Sequence, residues 1–267
     1  MARSALLNVM VQAATKAGRS LSRDFGEVQN LQVSLKGPGD YVSQADRKAE
    51  EIVYNELSKA RPGYSFLMEE SGTVKGSDDQ HRWIIDPLDG TTNFLHGIPI
   101  FAVSIALERQ GVLVAGLIYN PAMDELYTAE RGGGAFLNDR RLRVAARRNL
   151  NDAVIGTGIP HLGRGDHGRY LVEQRNVMGE VSGIRRMGAA ALDLAYVAAG
   201  RLDGFWEDAL HPWDMAAGML IIREAGGFAT DKAGGHDIFD TGGIVAGNDA
   251  IHAALLKALG KPIKAAG

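Results

Sequence analysis

Two apolar runs, 102–107 and 112–119, are joined only through Arg109-Gln110-Gly111 and its immediate neighbours. A link that short cannot carry a crossover helix, so the two runs must be neighbouring antiparallel strands. Further short apolar runs at 65–68, 83–85 and 125–127 continue the texture and read as strands of the same sheet. The centre of this chain is committed to a sheet, and everything else has to pack on it or extend it.

The flanks have a different period. Ala5, Leu6, Val9, Met10, Ala13, Ala17 and Leu21 recur at three- and four-residue spacing, one stripe of an amphipathic helix that packs against a sheet. Leu31, Val33 and Leu35 alternate as a short strand, Gly37-Pro38-Gly39-Asp40 breaks it, and a second helix is predicted over 43–60, stopped by Arg61-Pro62-Gly63. Beyond the sheet, strand-like 154–157 and 204–206 alternate with helical patterns at 189–199, 213–225 and 249–259, which predicts an α/β half. With no internal repeat, the expected organisation is an α+β subdomain over 1–145 and an α/β subdomain over 146–267, sharing a cleft.

Composition narrows the chemistry. At 267 residues, with 45% hydrophobic and 23% charged, the chain can bury a substantial core. A net charge of −3 offers no global attraction to a polyanion. The absence of Cys excludes disulfides, thiolate catalysis and Cys-ligated zinc. Residues 1–26 mix apolar and polar types without the apolar core of a signal peptide, and no run approaches the roughly 18 apolar residues of a membrane span. The expected location is the cytoplasm, with no membrane association.

The stretch from Trp83 through Asp86-Pro87-Leu88-Asp89-Gly90-Thr91-Thr92-Asn93-Phe94 carries the chemistry. An apolar strand ends in a carboxylate, Pro87 is expected to force the exit, and a second carboxylate follows three residues on. Gly90 allows unusual backbone angles, and Thr91-Thr92 at a predicted helix start leaves N–H groups for a phosphate. All-oxygen ligands suit Mg²⁺, which binds through a few carboxylates and keeps water and phosphate in its shell. In isolation an Asp-x-x-Asp pair is more often a solvated turn. Glu69-Glu70-Ser71-Gly72 alone would be a surface turn, and Asp214 after Trp213 a helix first-turn acid. Their joint presence points to a metal site beside an anion site. His96 and His211 are candidate general acids, but each is more often structural.

Glu69-Glu70-Ser71, the 86–94 string, Trp213-Asp214-Met215-Ala216-Ala217-Gly218 and Glu224-Ala225-Gly226-Gly227 together resemble the inositol monophosphatase family, over about residues 36–247. The resemblance implies a layered αβαβα sandwich, commonly a homodimer, that hydrolyses a small phosphate monoester such as myo-inositol monophosphate. It implies two to three Mg²⁺ ions ligated by Glu69, Asp86, the Leu88 carbonyl, Asp89 and Asp214. Glu69 and Thr91, the latter paired with Asp46, would hold the attacking water. The phosphate would lie on the Gly90 and Thr91 amides, and the polyol on Asp89, Gly188, Ala189, Ala190 and Glu207. Two departures stand out: Met68 replaces a Gly common before the Glu-Glu pair, and the segment 36–40 varies in such proteins and bears on the weakest metal position.

Related phosphatases act on fructose 1,6-bisphosphate, histidinol phosphate or 3′-phosphoadenosine nucleotides, and the catalytic turn does not separate these. Glu207 favours a polyol, because a carboxylate accepts hydrogen bonds from adjacent hydroxyls, while Arg185 and Arg186 are either second-phosphate contacts or solvated charges. A non-enzymatic role is the other reading: some bacterial family members associate with the transcription machinery. The cluster Arg140, Arg141, Arg143, Arg147 and Arg148 would suit RNA or an acidic partner, although such runs are usually solvated faces.

Overall fold

The structure, a computed structural model, describes residues 3–25, 33–37 and 40–261. Leu31 and the break at Pro38-Gly39 lie outside the described residues. In chain order the first half holds α1 (Ala5–Phe25), β1 (Val33–Gly37), β2 (Asp40–Ser43), α2 (Gln44–Ala60), β3 (Ser65–Met68), β4 (Gly72–Val74), β5 (His81–Asp89), α3 (Thr91–Leu95), β6 (Ala102–Arg109), β7 (Val112–Asn120), β8 (Glu125–Glu130), β9 (Gly134–Leu137) and β10 (Arg140–Arg141). The second half holds β11 (Val154–Thr157), α4 (His167–Met178), β12 (Gly183–Arg185), α5 (Ala190–Ala198), β13 (Gly204–Glu207), α6 (Pro212–Glu224), β14 (Phe228–Thr230), α7 (Ile238–Thr241), β15 (Ile244–Gly247) and α8 (Asp249–Leu259).

An eight-stranded sheet runs in the order β10-β9-β8-β7-β6-β5-β3-β4, a five-stranded sheet in the order β12-β11-β13-β15-β14, and β1 and β2 form a separate pair. The β6/β7 pair is antiparallel, as the short link demands, whereas β3 runs parallel to β5. In the smaller sheet β11 is parallel to both β12 and β13, and the other pairs are antiparallel. Helices α1 and α2 cover one face of the large sheet, α5 and α6 lie between the sheets, and α4 and α8 cover the far face of the small one. The layers are therefore α, β, α, β, α.

Burial on both faces explains the sequence texture. In β5, Trp83 and Ile85 join the core under α1 and α2, while Ile84 points into the core around α5 and α6. A strand covered on both sides reads as a continuous apolar run rather than an alternation. Helices α5 and α6 are likewise buried nearly all round, because each has a sheet on either side. A third core, with Ile155, Trp206, Val245 and Leu255, lies beneath α4 and α8. The buried stripe of α1 is the one expected but broader: Met10, Ala13, Ala17 and Leu21 are buried with Leu6 and Val9 packed against them, Leu7 and Ala14 are buried as well, and of the expected positions only Ala5 is exposed.

One local expectation fails. Pro87 does not end the strand. β5 continues to Asp89, with Asp86 paired to Ser104, Asp89 paired to Ala102, and the register shifted between them. A bulge is one of the few places where a sheet tolerates a residue without an N–H. Here it turns Leu88 and the two flanking carboxylates at the strand end.

Candidate active site

Helix α2 is started by Ser43, whose side chain caps Ala45 N while Asp46 Oδ2 receives Ser43 N at 2.8 Å and Ser43 Oγ at 2.5 Å. This capping box aims the other Asp46 oxygen outward, where Oδ1 lies 2.9 Å from Thr91 Oγ1. The same hydroxyl lies 3.0 Å from the Leu88 carbonyl. Gly90 between them has φ +87°, and a side chain there would meet the Ile100 carbonyl at 2.8 Å and Ala189 Cβ at 3.1 Å. Only glycine fits the turn that carries the site.

The carboxylates come from separate elements. Asp86 and Asp89 flank the β5 bulge, Glu69 follows β3 with its N–H on the Ile85 carbonyl at 3.2 Å, and Asp214 stands in the first turn of α6. Asp86 Oδ1 accepts Leu88 N at 2.9 Å, Asp89 Oδ2 accepts Ala191 N at 2.7 Å, and Asp214 Oδ2 accepts His211 N at 2.7 Å. Burial, and then the charges of Glu69, Asp89 and Asp214, hold Asp86 well above the usual carboxylate range. Burial, and then Asp214, do the same to Asp89. Asp214 is pushed up to about 6, mainly by burial. Like charges this close each favour the protonated form of the other, and a multivalent cation relieves them all.

These groups open into a cleft of about 880 Å³. Glu69, Asp86, Leu88, Asp89, Gly90, Thr91, Gly188, Ala190, Glu207 and Asp214 all line it. Asp46 stands behind Thr91, and Ala189 is buried at the start of α5 with its methyl near Gly90, so neither reaches the wall. Glu207 ends β13, and burial pushes it up to about 7 against the opposing pull of Arg164 and Arg186. Gly158 makes room for it, since a Cβ there would fall 1.9 Å from its carboxyl carbon. Arg186 lines the cleft; Arg185 points away and bonds the Ile184 carbonyl.

The model of the inositol monophosphatase family matches residues 2–264. The chain belongs to the inositol monophosphatase family. It is accordingly a phosphatase. Among its relatives, an inositol-1-monophosphatase of Mesorhizobium japonicum is 78% identical over 265 residues, 99% of this chain and 100% of that one. The Nus factor SuhB of Pseudomonas aeruginosa is 46% identical over 255 residues, 94% of each chain. The crystal structure of extragenic suppressor protein suhB from Bartonella henselae superimposes with a TM-score of 0.95 at 73% identity, covering 97% of this chain and 100% of that one.

Inositol monophosphatases as a family are metal-dependent, and the donors in this cleft fit such an ion: they are all oxygens, and the buried Asp86, Asp89 and Asp214 carboxylates are each held above their ordinary range by burial and by neighbouring acids. Among the described residues no group of three or more His, Asp or Glu is preassembled as a metal cage. A divided set suits a hard divalent cation that keeps water and substrate phosphate in its shell rather than one that needs an all-protein cage.

Sequence reasoning missed two groups. Arg164 reaches over the cleft, bonding the Ala209 carbonyl through Nε (3.2 Å) and Nη2 (2.9 Å) with Asp214 Oδ2 at 3.8 Å. Its glycine-flanked setting, Gly163-Arg164-Gly165, was the available signal. Asp193 is buried in α5 with one oxygen unpartnered, and its carboxyl is raised by burial and then by Glu207 and Asp89. A lone acid within Ala190-Ala191-Leu192-Asp193-Leu194 could have marked it. Of the two histidines, His96 is off the cleft with Nδ1 on the Thr92 carbonyl at 2.8 Å, while His211 lines it, stacked on Trp213 at 4.7 Å.

Proposed function

We propose that this phosphatase hydrolyses myo-inositol monophosphate and similar polyol phosphate monoesters with two to three Mg²⁺ ions held by Glu69, Asp86, the Leu88 carbonyl, Asp89 and Asp214. The observation that carries the reading is that four carboxylates, Glu69 after β3, Asp86 and Asp89 on β5 and Asp214 on α6, line one cleft beside the Gly90-Thr91 turn. Bound Mg²⁺ would supply Lewis acidity toward the phosphoryl oxygens and toward water. The chain's own part is positional. The Thr91 hydroxyl has one hydrogen, which Asp46 Oδ1 or the Leu88 carbonyl takes, leaving its lone pairs to accept a hydrogen from the attacking water. Glu69 serves as a second acceptor for that water. The Gly90 and Thr91 amides receive the phosphate. Glu207 on the opposite wall accepts from adjacent substrate hydroxyls, with Asp89, Gly188 and Ala190 beside it and Ala189 behind.

We further infer two packed halves meeting near residue 145 with the cleft between them, a homodimeric unit and a cytoplasmic location; among the described residues no helix is long and apolar enough to cross a membrane. A transcription-related partner is a second reading, favoured by the relative named a Nus factor. The arginine cluster lends it limited support, because Arg147 is already paired with Asp203 and Arg148 with Asp249.

The test is phosphate release from myo-inositol 1-phosphate, glycerol 2-phosphate, fructose 1,6-bisphosphate, histidinol phosphate and 3′-phosphoadenosine 5′-phosphate, each with Mg²⁺ and with EDTA. Mg²⁺-dependent release led by inositol phosphate is expected. A preference for another ester would move the specificity, and release unaffected by EDTA would overturn the metal reading.

A further inference from the structure

Helix α2 carries a second buried acid. Glu50 lies four residues after Asp46, on the same face of the helix, and is 3% exposed. Among the described residues it takes part in no salt bridge. A carboxylate buried without a cation is costly unless its lone pairs are used, and Glu50 uses them on one short segment. Oε2 accepts Glu70 N at 2.9 Å and Oε1 accepts Ser71 Oγ at 2.5 Å.

That segment carries Glu69. Its N-terminal side is fixed by Met68, buried at 3% and paired with Ile85 and Gly72, and by the bond from Glu69 N to the Ile85 carbonyl. Its C-terminal side turns through Gly72 at φ +72° into β4. Between these points, residues 70 and 71 are tied to α2 through Glu50. One helix face thus holds both edges of the site: Asp46 fixes Thr91, and Glu50 fixes the backbone that aims Glu69. Met68, with its side chain in the core, anchors the strand end from which this turn departs.

We propose that Glu50 is a positioning residue for Glu69, setting metal affinity through Glu70 N and the Ser71 hydroxyl without touching metal or substrate; this rests on the reading of Glu69 as a metal ligand. Glu50→Gln keeps the size and one acceptor but presents an NH₂ where an acceptor is needed. Ser71→Ala removes one of the two ties and leaves the buried carboxylate in place. Partners that orient ligands in this way typically change metal affinity by about 10–100-fold.

The experiment is calorimetric titration of the metal-free full-length protein with Mn²⁺, for wild type, Glu50→Gln and Ser71→Ala, together with kcat, KM and the Mg²⁺ concentration for half-maximal activity. Expected is Mn²⁺ binding weakened about 10-fold or more in Glu50→Gln and a few-fold in Ser71→Ala. The half-activating Mg²⁺ concentration should rise in parallel, while KM for the phosphate ester at saturating Mg²⁺ stays within about two-fold of wild type. Folded Glu50→Gln protein that binds Mn²⁺ as tightly as wild type overturns the proposal and leaves the metal reading standing. A wild-type protein that binds no Mn²⁺ overturns both. If Glu50→Gln does not fold, Ser71→Ala decides: unchanged Mn²⁺ affinity there overturns the proposal.

Discussion

Asp89 divides its two oxygens between structure and chemistry. Oδ2 is taken by Ala191 N at the start of α5, which leaves Oδ1 for the cleft. Asn in its place still offers a carbonyl oxygen to Ala191 N but no negative charge, so Asp89→Asn should fold with a melting temperature in EDTA at pH 8 no lower than that of wild type and lose Mg²⁺-supported kcat by roughly 100-fold or more. Full turnover in this variant would sink its assignment as a ligand. Glu207 makes a pH prediction with a definite sign. Its carboxyl is raised from 4.5 to about 7, chiefly by burial, so the folded protein holds the proton more tightly than the unfolded chain. It costs nothing below about pH 4.5 and its full penalty above about pH 7, and stability is lost as pH rises through that window. Glu207→Gln removes the penalty. Thermal melts in EDTA should show the variant stabilised relative to wild type at pH 8 and indistinguishable from it near pH 4.5; equal shifts at both would refute this.

At the scale of elements, α6 is placed by contact with β7 as much as by its own sequence. A Cβ on Gly116 would fall 2.9 Å from the Ala217 carbonyl oxygen and 3.2 Å from its Cα, so the helix backbone lies directly on the strand and cannot yield as a side chain would. Gly116→Ala should destabilise the protein by about 1–3 kcal/mol, read from the urea midpoint, and weaken activity because the first turn of α6 holds Asp214. The elements legible in the sequence share a property: their pattern is set by what they bury. The runs in β5, β6 and β7 are continuous because two cores claim them, and α2 shows its cap, its period and its stop together. β12 and β14, at three residues each, are too short to show a period, and α4 was unreadable because Leu171 and Met178 are exposed. Within the site, the residues found were those on motifs at strand and helix ends. Arg164 was missed because a loop brings it from the far wall, and the bulge at Pro87 was missed because pairing with β6, a tertiary fact, decides whether a strand continues past a proline.

The molecule as a whole has a formal charge of only −3, yet its cleft is lined by eight carboxylates, Glu69, Asp86, Asp89, Asp166, Glu207, Asp208, Asp214 and Asp240, against two arginines, Arg164 and Arg186. A phosphate dianion meets repulsion there unless cations accompany it, so metal and substrate should bind together. The same concentration of charge couples the metal to folding. An ion that binds the native state alone at 100 times its Kd adds about 2.7 kcal/mol, and for a chain of this size that corresponds to a rise of roughly 5–10 °C in melting temperature. Protons compete for the same oxygens: Asp214 sits at about 6, and its neighbours Asp86 and Asp89 are also held well above the ordinary carboxylate range by burial and by the charge of neighbouring acids. Metal binding must therefore release protons and weaken as pH falls. The increment in melting temperature produced by Mg²⁺ should be near its full size at pH 8 and should shrink markedly by pH 5.5, measured by differential scanning fluorimetry with EDTA-treated protein as reference. An increment independent of pH would place the ion outside this carboxylate cluster, and no increment at either pH would remove the cluster's reason for being assembled from three separate elements.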